Sequence, residues 1–302
     1  MRVSIAAHAK INLTLDVLGK LPNGYHELLM VMQSISLHDM LSIETGTDGG
    51  IELRSNAKDI PCDERNLVFK AIRAFYDACG IMAGGVSVAI EKRIPVMAGL
   101  AGGSTDAAAV IRALDYIHNT RFTEKELQAI GLTVGADVPF CISGGTMLAR
   151  GIGELLSPLP PMPDCAILLV KPGFSMSTPY VFAALDRTEI VRRPDADAMS
   201  GALGRGDIRG IADGLSNVME GVTAAEHPEI KEIKEKLQSY GALGAVMSGS
   251  GPAVFGVFAD SSRAHAAYAA LLPFYEGVYL CRPCPANSAS DFLTAKLGVL
   301  IN

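Results

Sequence analysis

The chain has 302 residues, of which 49% are hydrophobic and 19% are charged, and its formal net charge is -6. This composition is typical of a compact globular protein and argues against a disordered chain, and the length allows two domains or one large domain. No basic cluster stands out, so a nucleic-acid surface is not expected. No apolar run approaches the roughly 18 residues of a membrane helix. Lys10 interrupts the apolar N-terminal stretch, so we predict no signal peptide and a cytoplasmic protein.

The first predicted element is a strand in KINLTLDVL. Ile11, Leu13, Leu15 and Val17 alternate with polar residues, so we expect these four side chains to share one face of a sheet. Lys10 begins the polar set on the opposite face. A turn is predicted at PNG, and LLMVMQSISL then reads as a buried strand.

Helix and strand signals alternate through the next hundred residues. DERNLVFKAIRAFYDACG predicts a helix with Asp63 as its cap and Gly80 as its end. VSVAIEKRI reads as a strand, and STDAAAVIRALDYIH reads as a helix. The pattern TEKE at Thr123 is a capping box that opens another helix.

A domain boundary is expected within LSPLPPMPD, Leu156 to Asp164, which holds four of the 16 prolines. We therefore predict an N-terminal domain of residues 1–157 and a C-terminal domain of residues 158–302. In the second domain CAILLVKPG and GVYLCRP read as strands, STPYVFAALD and HPEIKEIKEKLQSYG as helices, and GAVMSGSGPAVFGVF as two strands around a glycine turn. The interleaved elements indicate an α/β or α+β fold.

The segment IPVMAGLAGGSTDAAAVI, residues 94–111, is a glycine-rich loop that opens onto a helix. Its glycines let a ligand approach the main chain, and the first N–H groups of the helix favour an anion. The loop lacks the Lys of a P-loop and the spacing of the dinucleotide fingerprint. A tight turn without a ligand stays an alternative, and Ser104 and Thr105 also suit ordinary helix capping.

This loop resembles the second motif of the GHMP kinases, P-x-x-x-G-L-[GA]-x-[SG]-[SA], which wraps the phosphates of ATP. The matching residues are Pro95, Gly99, Leu100, Ala101, Gly103 and Ser104. The ATP-binding residues that the resemblance implies are Pro95, Val96, Met97, Ala98, Gly99, Leu100, Ala101, Gly102, Gly103, Ser104 and Thr105. MSGSGPAVFGVF, near the C-terminus, is similar to the third GHMP motif, and GADVPFC is similar to the segment that carries the catalytic aspartate.

The N-terminal stretch AHAKINLTLDVLGKLPNGYHELLMVMQSISLHD is similar to the opening of the 4-diphosphocytidyl-2-C-methyl-D-erythritol kinase family within the GHMP kinases. The resemblance spans the chain and implies a two-domain GHMP kinase fold with the active site in the inter-domain cleft. It also implies ATP-dependent phosphorylation of the substrate's 2-hydroxyl, in the non-mevalonate isoprenoid pathway. The chain departs from the family in LSNVMEGV, where Val218 and Met219 interrupt an NDFE-like run that keeps Asn217 and Glu220.

The predicted catalytic pair is Asp137 as general base and Lys10 as its electrostatic partner. The residues alone favour a helix or turn cap for Asp137 and a solvated strand residue for Lys10. The family resemblance places Lys10 beside the aspartate, where its charge would keep the carboxylate ionised. The resemblance also implies a substrate-binding set: Asn12, Tyr25, His26, Thr178 and Phe182. Within this set we expect the cytosine ring to lie between the rings of Tyr25 and Phe182.

ATP and Mg²⁺ are the expected cofactors. No protein ligand of Mg²⁺ is identified, although Ser104 and water molecules are candidates, and no separate metal site is predicted. The motif CRPC at Cys281 and Cys284 has metal or redox spacing, but without a second pair ordinary reduced thiols are favoured. The expected partner is a small-molecule substrate, with no nucleic acid and no membrane, and the protein is expected to be a monomer or weak homodimer. Another GHMP kinase and a non-catalytic nucleotide-binding module remain alternatives.

Overall fold

The structure is a computed structural model that describes residues 1–81, 84–288 and 292–294. Within them, two β-sheets and the helices packed on them form a mixed α/β fold, as predicted. The strands are β1 (Arg2–Lys20), β2 (His26–Thr47), β3 (Ile51–Ser55), β4 (Gly85–Glu91), β5 (Thr146–Arg150), β6 (Leu155–Pro158), β7 (Ala166–Lys171), β8 (Ser216–Asn217), β9 (Gly244–Met247), β10 (Val254–Phe258), β11 (Gly277–Cys281) and β12 (Phe292–Thr294). The helices are α1 (Leu67–Cys79), α2 (Gly102–His118), α3 (Glu124–Leu132), α4 (Val138–Ser143), α5 (Thr178–Leu185), α6 (Ala196–Gly204), α7 (Ile208–Asp213), α8 (Glu220–Glu226), α9 (Glu229–Ser239) and α10 (Ser261–Leu271).

The larger sheet is built around the long antiparallel pair of β1 and β2. Along the described chain its order is β12-β1-β2-β4-β3, with β5 added to β2, β6 added to β5, and β8 added to β1. The short strand β8 runs parallel to β1, so a segment from the second half of the chain completes the sheet of the first half. This contact brings Asn217 close to the strand that carries Lys10.

The prediction that Ile11, Leu13, Leu15 and Val17 share one face is wrong. Irregularities in the β1–β2 register lie between His8 and Lys10 and between Asn12 and Thr14. Ile11 and Leu13 pack into one hydrophobic cluster, whereas Leu15 and Val17 pack into another. A bulge inserts one residue into a strand whose side chains alternate, so it exchanges the two faces. Both faces of β1 are buried at this point.

The smaller sheet contains four antiparallel strands in the order β11-β7-β10-β9 among the described residues. The chain passes from the larger sheet to the smaller one between β6 and β7, across the proline-rich stretch. After β11 the chain returns to the larger sheet, where the backbone of Cys284 bonds to Ser34 and the Asn287 side chain donates to the carbonyls that end α4. Most of the C-terminal tail, residues 286–302, lies outside the described residues.

Helix boundaries confirm some sequence signals and correct others. Helix α1 is capped by Asn66, whose side chain accepts from the backbone N–H of Val68, and not by Asp63, which binds Arg65 instead. Gly80 ends α1 in the left-handed conformation, as expected, because glycine carries no Cβ to clash there. The capping box at Thr123 is also confirmed. No disulfide joins any of the six cysteines, all of which lie in the part of the chain that the structure describes. None of the described helices is long and apolar enough to cross a membrane.

Candidate active site

One large cavity, with a volume of about 960 Å³, is lined by residues from both halves of the chain. Its wall is contributed by β1, the β1–β2 turn, the glycine loop, the start of α4 and the start of α5. The predicted site residues that line it are Lys10, Tyr25, His26, Pro95, Val96, Met97, Ala98, Gly99, Leu100, Ala101, Gly102, Gly103, Ser104, Asp137, Thr178 and Phe182. Sequence motifs that are far apart along the chain therefore meet around one space.

The glycine loop lies between β4 and α2 and holds three residues in the left-handed region: Met97, Gly99 and Ala101, with φ of 53°, 77° and 57°. Ala101 precedes α2 and has no side-chain acceptor, so among the described residues the first N–H groups of this 17-residue helix have no side-chain cap. Those N–H groups and the positive end of the helix dipole are suited to phosphate oxygens. Ser104 adds a hydroxyl to the cavity wall.

The loop is held in place by the turn between β9 and β10. The carbonyl oxygen of Gly99 accepts from the Ser248 hydroxyl at 3.0 Å, and the carbonyl oxygen of Ala98 accepts from the N–H of Ala253 at 3.2 Å. On the other side, the N–H of Lys10 donates to the carbonyl of Leu100 at 3.2 Å. Backbone contacts from both halves of the chain thus fix the loop.

The interrupted run that contains Asn217 and Glu220 supports the same turn. The Asn217 amide donates to the carbonyls of Met247 and Gly249, both at 2.8 Å, and Glu220 accepts from the N–H of Met247 at 2.8 Å. Val218 and Met219 make none of these side-chain hydrogen bonds. The two residues that the chain retains are therefore the ones that brace the turn against which the glycine loop rests.

Lys10 and Asp137 form an ion pair on the cavity wall. The Lys10 Nζ lies 3.9 Å from Asp137 Oδ2, which is too long for a direct hydrogen bond, and 2.7 Å from Asn12 Oδ1. The Lys10 side chain is 5% exposed, whereas that of Asp137 is 37% exposed. Asp137 precedes α4, but its carboxylate makes no capping hydrogen bond. The carboxylate is therefore open to a ligand, and the alternative of a helix-capping aspartate finds no support.

Two of the predicted binding residues do not line the cavity. Asn12 is fully buried, and its amide accepts a hydrogen bond from Lys10 and donates one to the sulfur of Met30. It therefore orients the lysine without lining the cavity itself. Thr105 is buried as well, and its hydroxyl donates to the carbonyl of His8 at 2.6 Å. This hydrogen bond joins α2 to β1, and Thr105, unlike its neighbour Ser104, does not line the cavity.

The aromatic residues that the sequence singles out lie together on the cavity wall, but in an unexpected arrangement. The imidazole of His26 stacks on the ring of Phe182, with centroids 4.5 Å apart and planes 15° apart, whereas the Tyr25 side chain is exposed. One face of Phe182 is therefore covered by His26. Thr178 lies at the first turn of α5, with its hydroxyl 2.8 Å from that of Ser250.

A buried charge cluster behind the glycine loop was missed by sequence reasoning. Lys92, from the end of β4, donates to Asp39 and, at 2.8 Å, to Asp106 Oδ2, while Asp39 also accepts two backbone N–H groups. Burial raises the pKa of Asp106 to about 8 against the opposing attraction of Lys92, and nearby Asp39 raises it further. Burial alone would lower the pKa of Lys92, but the attraction of Asp106 and Asp39 outweighs it, so this pKa is raised. A charged residue directly between a buried strand and the loop is the signal that could have revealed Lys92.

Comparison with known proteins identifies the family. Residues 66–145 match the model of the GHMP kinases N terminal domain, and residues 199–276 match that of the GHMP kinases C terminal domain. A 4-diphosphocytidyl-2-C-methyl-D-erythritol kinase from Alkaliphilus metalliredigens (strain QYMF) is 43% identical over 279 residues, which is 92% of this chain and 96% of that relative. The chain belongs to the 4-diphosphocytidyl-2-C-methyl-D-erythritol kinase family.

Solved structures agree with membership of this kinase family. The crystal structure of a 4-(cytidine 5'-diphospho)-2C-methyl-D-erythritol kinase matches with a TM-score of 0.79 and 33% identity, covering 94% of this chain and all of that chain. A homoserine kinase from Cytophaga hutchinsonii has a TM-score of 0.75 at 18% identity, covering 94% of this chain and 95% of that chain. The second likeness shows the shared GHMP kinase fold alone. The chain is thus a GHMP kinase, and ATP is the phosphate donor expected of that family.

Proposed function

We propose that the protein transfers the γ-phosphoryl group of ATP to the 2-hydroxyl of 4-diphosphocytidyl-2-C-methyl-D-erythritol, giving ADP and the 2-phosphate in the non-mevalonate isoprenoid pathway. The observation that carries this proposal is the meeting of three features in one cavity. These are an uncapped helix start behind a glycine loop, the Lys10–Asp137 pair, and the aromatic residues His26 and Phe182. They supply a phosphate site, a proton acceptor and a surface for a base.

The proposed chemistry assigns one task to each member of the catalytic pair. The carboxylate of Asp137 accepts the proton of the substrate hydroxyl as the hydroxyl oxygen bonds to the γ-phosphorus and the bond to the β–γ bridging oxygen breaks. The ammonium of Lys10 attracts the negative charge that develops on the attacking oxygen. Asn12 holds Lys10 through the 2.7 Å hydrogen bond, so it positions the lysine without contacting the substrate.

The glycine loop and the start of α2 receive the ATP phosphates in this proposal. Mg²⁺ fits the same place, since hard cations of this kind bind phosphate oxygens, several waters and one or two protein oxygens. The Ser104 hydroxyl and the Asp137 carboxylate both line the cavity and offer such oxygens. The described residues hold no cluster of three or more acidic, histidine or cysteine groups, so we assign the ion mainly to phosphate and water ligands. When bound, Mg²⁺ neutralises charge on the phosphates.

Substrate recognition is assigned to the aromatic end of the cavity. A cytosine base stacks on an aromatic face, and Phe182 offers the face that His26 does not cover. Tyr25 is exposed at the β1–β2 turn and is free of the Phe182–His26 stack, so it is available to close over a bound base. Thr178 and Ser250 bring hydroxyl groups from the second half of the chain. The rival substrates, mevalonate, homoserine and galactose, carry no base for such a surface.

The experiment is to follow ADP release with Mg-ATP and each of four alcohols: 4-diphosphocytidyl-methylerythritol, mevalonate, homoserine and galactose. Turnover with the first alone supports the proposal. Turnover with another alcohol, or none from folded protein that binds ATP, contradicts it. The variant Asp137→Asn should lower kcat by about 10²–10⁴-fold, the range for loss of a general base. Asp213→Asn, which changes an exposed aspartate at the end of α7, is the matched control. Near-normal kcat in Asp137→Asn would remove the assigned base.

Three coarser features belong to the same proposal. We divide the chain into domains at residues 157 and 158, which the passage between the two sheets supports, although β8 crosses back to the larger sheet. We assign the protein to the cytoplasm, where ATP is supplied. A monomer or weak homodimer stays a prediction, and sedimentation at several protein concentrations tests it.

A further inference from the structure

The connection between α5 and α6 binds the β1–β2 hairpin at two places. At the start of the connection, Asp186 lies 2.7 Å from Nε2 of His26 and 3.3 Å from Nζ of Lys20. Near its end, Nη1 of Arg193 lies 2.6 Å from Oδ1 of Asp16. A segment from the second half of the chain therefore holds the end of a hairpin that belongs to the first half.

The contact of Arg193 is the more buried of the two on the hairpin side. The Asp16 side chain is 5% exposed, whereas that of Lys20 is 58% exposed. Nη1 of Arg193 also donates to the carbonyl of Val17 at 3.1 Å, and Oδ1 of Asp16 accepts from the N–H of Val17 at 2.8 Å. We call the contacts of Arg193 with Asp16 and Val17 the Arg193 bridge. A nearly buried carboxylate needs such a partner, because an unpaired charge is costly to bury.

The Arg193 bridge lies where the pairing of β1 with β2 is interrupted. The register of the two strands shifts between Val17 and Gly19. A bulge disrupts the ladder locally and bends the strand, so the ladder holds the hairpin less firmly beyond this point. The residues beyond the shift that line the substrate cavity are Lys20, Gly24, Tyr25 and His26. The bridge thus fixes the strand directly before it enters the cavity wall.

We propose that Arg193 is a positioning residue for the kinase reaction, which holds the end of the β1–β2 hairpin at the correct distance from the second half of the chain. Arg193 lines a separate pocket of about 520 Å³ and not the substrate cavity, so it acts through Asp16 and Val17 without touching the substrate. This inference rests on the proposed function, because it concerns the binding of the substrate named there.

The effect of losing the bridge follows from the burial of Asp16. Without Arg193 the Asp16 carboxylate is a nearly buried charge that has lost its cationic partner, and it gains water only if the hairpin end moves away from the α5–α6 connection. That movement displaces one wall of the substrate cavity. The glycine loop is held by other contacts, from Lys10 and from the β9–β10 turn, so the ATP site should keep its geometry.

The test compares Arg193→Gln with Arg192→Gln, which removes the same charge from the exposed neighbouring residue. In Arg193→Gln the KM for 4-diphosphocytidyl-methylerythritol should rise by about tenfold, because binding must then order the displaced hairpin end. The kcat and the KM for ATP should change by less than about twofold, since neither depends on the cost of ordering the hairpin. Arg192→Gln should leave all three values unchanged.

A second substitution tests whether Arg193 acts through Asp16. In the double variant Asp16→Asn/Arg193→Gln the buried carboxylate is gone, so the hairpin end no longer has to move to hydrate it. The substrate KM of the double variant should therefore be lower than that of Arg193→Gln alone. Two increases that multiply, or an equal rise in the KM for ATP, would overturn the inference.

Amide hydrogen exchange without substrate gives a readout that does not depend on turnover. In Arg193→Gln the amides of residues 17–28 should exchange about tenfold faster, whereas those of α2 should match the unaltered protein. An unchanged exchange rate at the hairpin end, or an unchanged substrate KM, would also overturn the inference. Absence of turnover in the unaltered protein would instead mark failure of the proposed function, and the exchange rates would still test the bridge.

Discussion

Replacing Gly99 by alanine should force apart the glycine loop and the β9–β10 turn. A Cβ at Gly99 would lie 2.1 Å from the carbonyl oxygen of Ser248 and 3.0 Å from the backbone nitrogen of Gly251. Carbon–oxygen contacts normally begin at about 3.3 Å. Both neighbouring atoms belong to the main chain, so neither can rotate away. The loop or the turn must therefore move by about 1 Å.

The cost has two parts that can be separated. The φ of 77° at Gly99 lies in the left-handed region, where a side-chained residue costs about 1–2 kcal/mol. The steric overlap adds about 1–3 kcal/mol, the usual cost of overpacking. We expect Gly99→Ala to lower the free energy of unfolding by about 2–5 kcal/mol. Since loop displacement also moves the phosphate site, kcat/KM for ATP should fall by about 10–100-fold.

Gly46→Ala is the matched control for the backbone strain. Gly46 has a φ of 81°, close to that of Gly99, but no atom lies within 4 Å of its hypothetical Cβ. Gly46→Ala should lower the free energy of unfolding only by the roughly 1–2 kcal/mol of the left-handed conformation, and its kcat/KM for ATP should not change. Urea unfolding of both variants, with ATP titrations of the kinase reaction, measures the difference. If Gly99→Ala is no less stable than Gly46→Ala and binds ATP equally well, the proposed tight contact between loop and turn is wrong.

Two further predictions concern groups behind the cavity wall. Asn217→Ala leaves the carbonyls of Met247 and Gly249 without the amide donor of Asn217. The free energy of unfolding should therefore fall by about 1–3 kcal/mol, and the KM for the substrate should rise. An unchanged free energy in urea unfolding together with an unchanged KM would contradict this prediction. Asp106 has a folded-state pKa raised to about 8, above its unfolded value near 3.9, so the folded protein binds more protons and stability should fall as pH rises from about 4 to about 8. In Asp106→Asn that loss should be smaller, and parallel stability–pH curves for the two proteins would refute the raised pKa.

Much of the site could be predicted because the residues proposed to carry its chemistry lie in short, contiguous motifs. The glycine loop, the strand with Lys10 and the segment with Asp137 each combine residue types that are uncommon together, and all three reach the cavity. The features that the local pattern did not predict depend on contacts with distant parts of the chain. The alternation of Ile11 to Val17 did not predict the bulges, because a bulge inserts a residue into the strand without a distinctive residue composition. Thr105 resembles its neighbour Ser104, yet the two side chains lie on different sides of the helix.

By itself, the sequence determined the family, the order of the elements and the types of residue that do the chemistry. Period-2 and period-3.6 patterns, caps and glycine turns are local, and they act within a few residues. Only the tertiary structure decided that Asp137 does not cap its helix, and that Lys92 lies between two carboxylates. It also decided that His26 faces Phe182 and Asp186 from the other half of the chain. Such pairings depend on how the two halves of the chain pack around one cavity, and the free energy of that packing comes from residues distant in sequence.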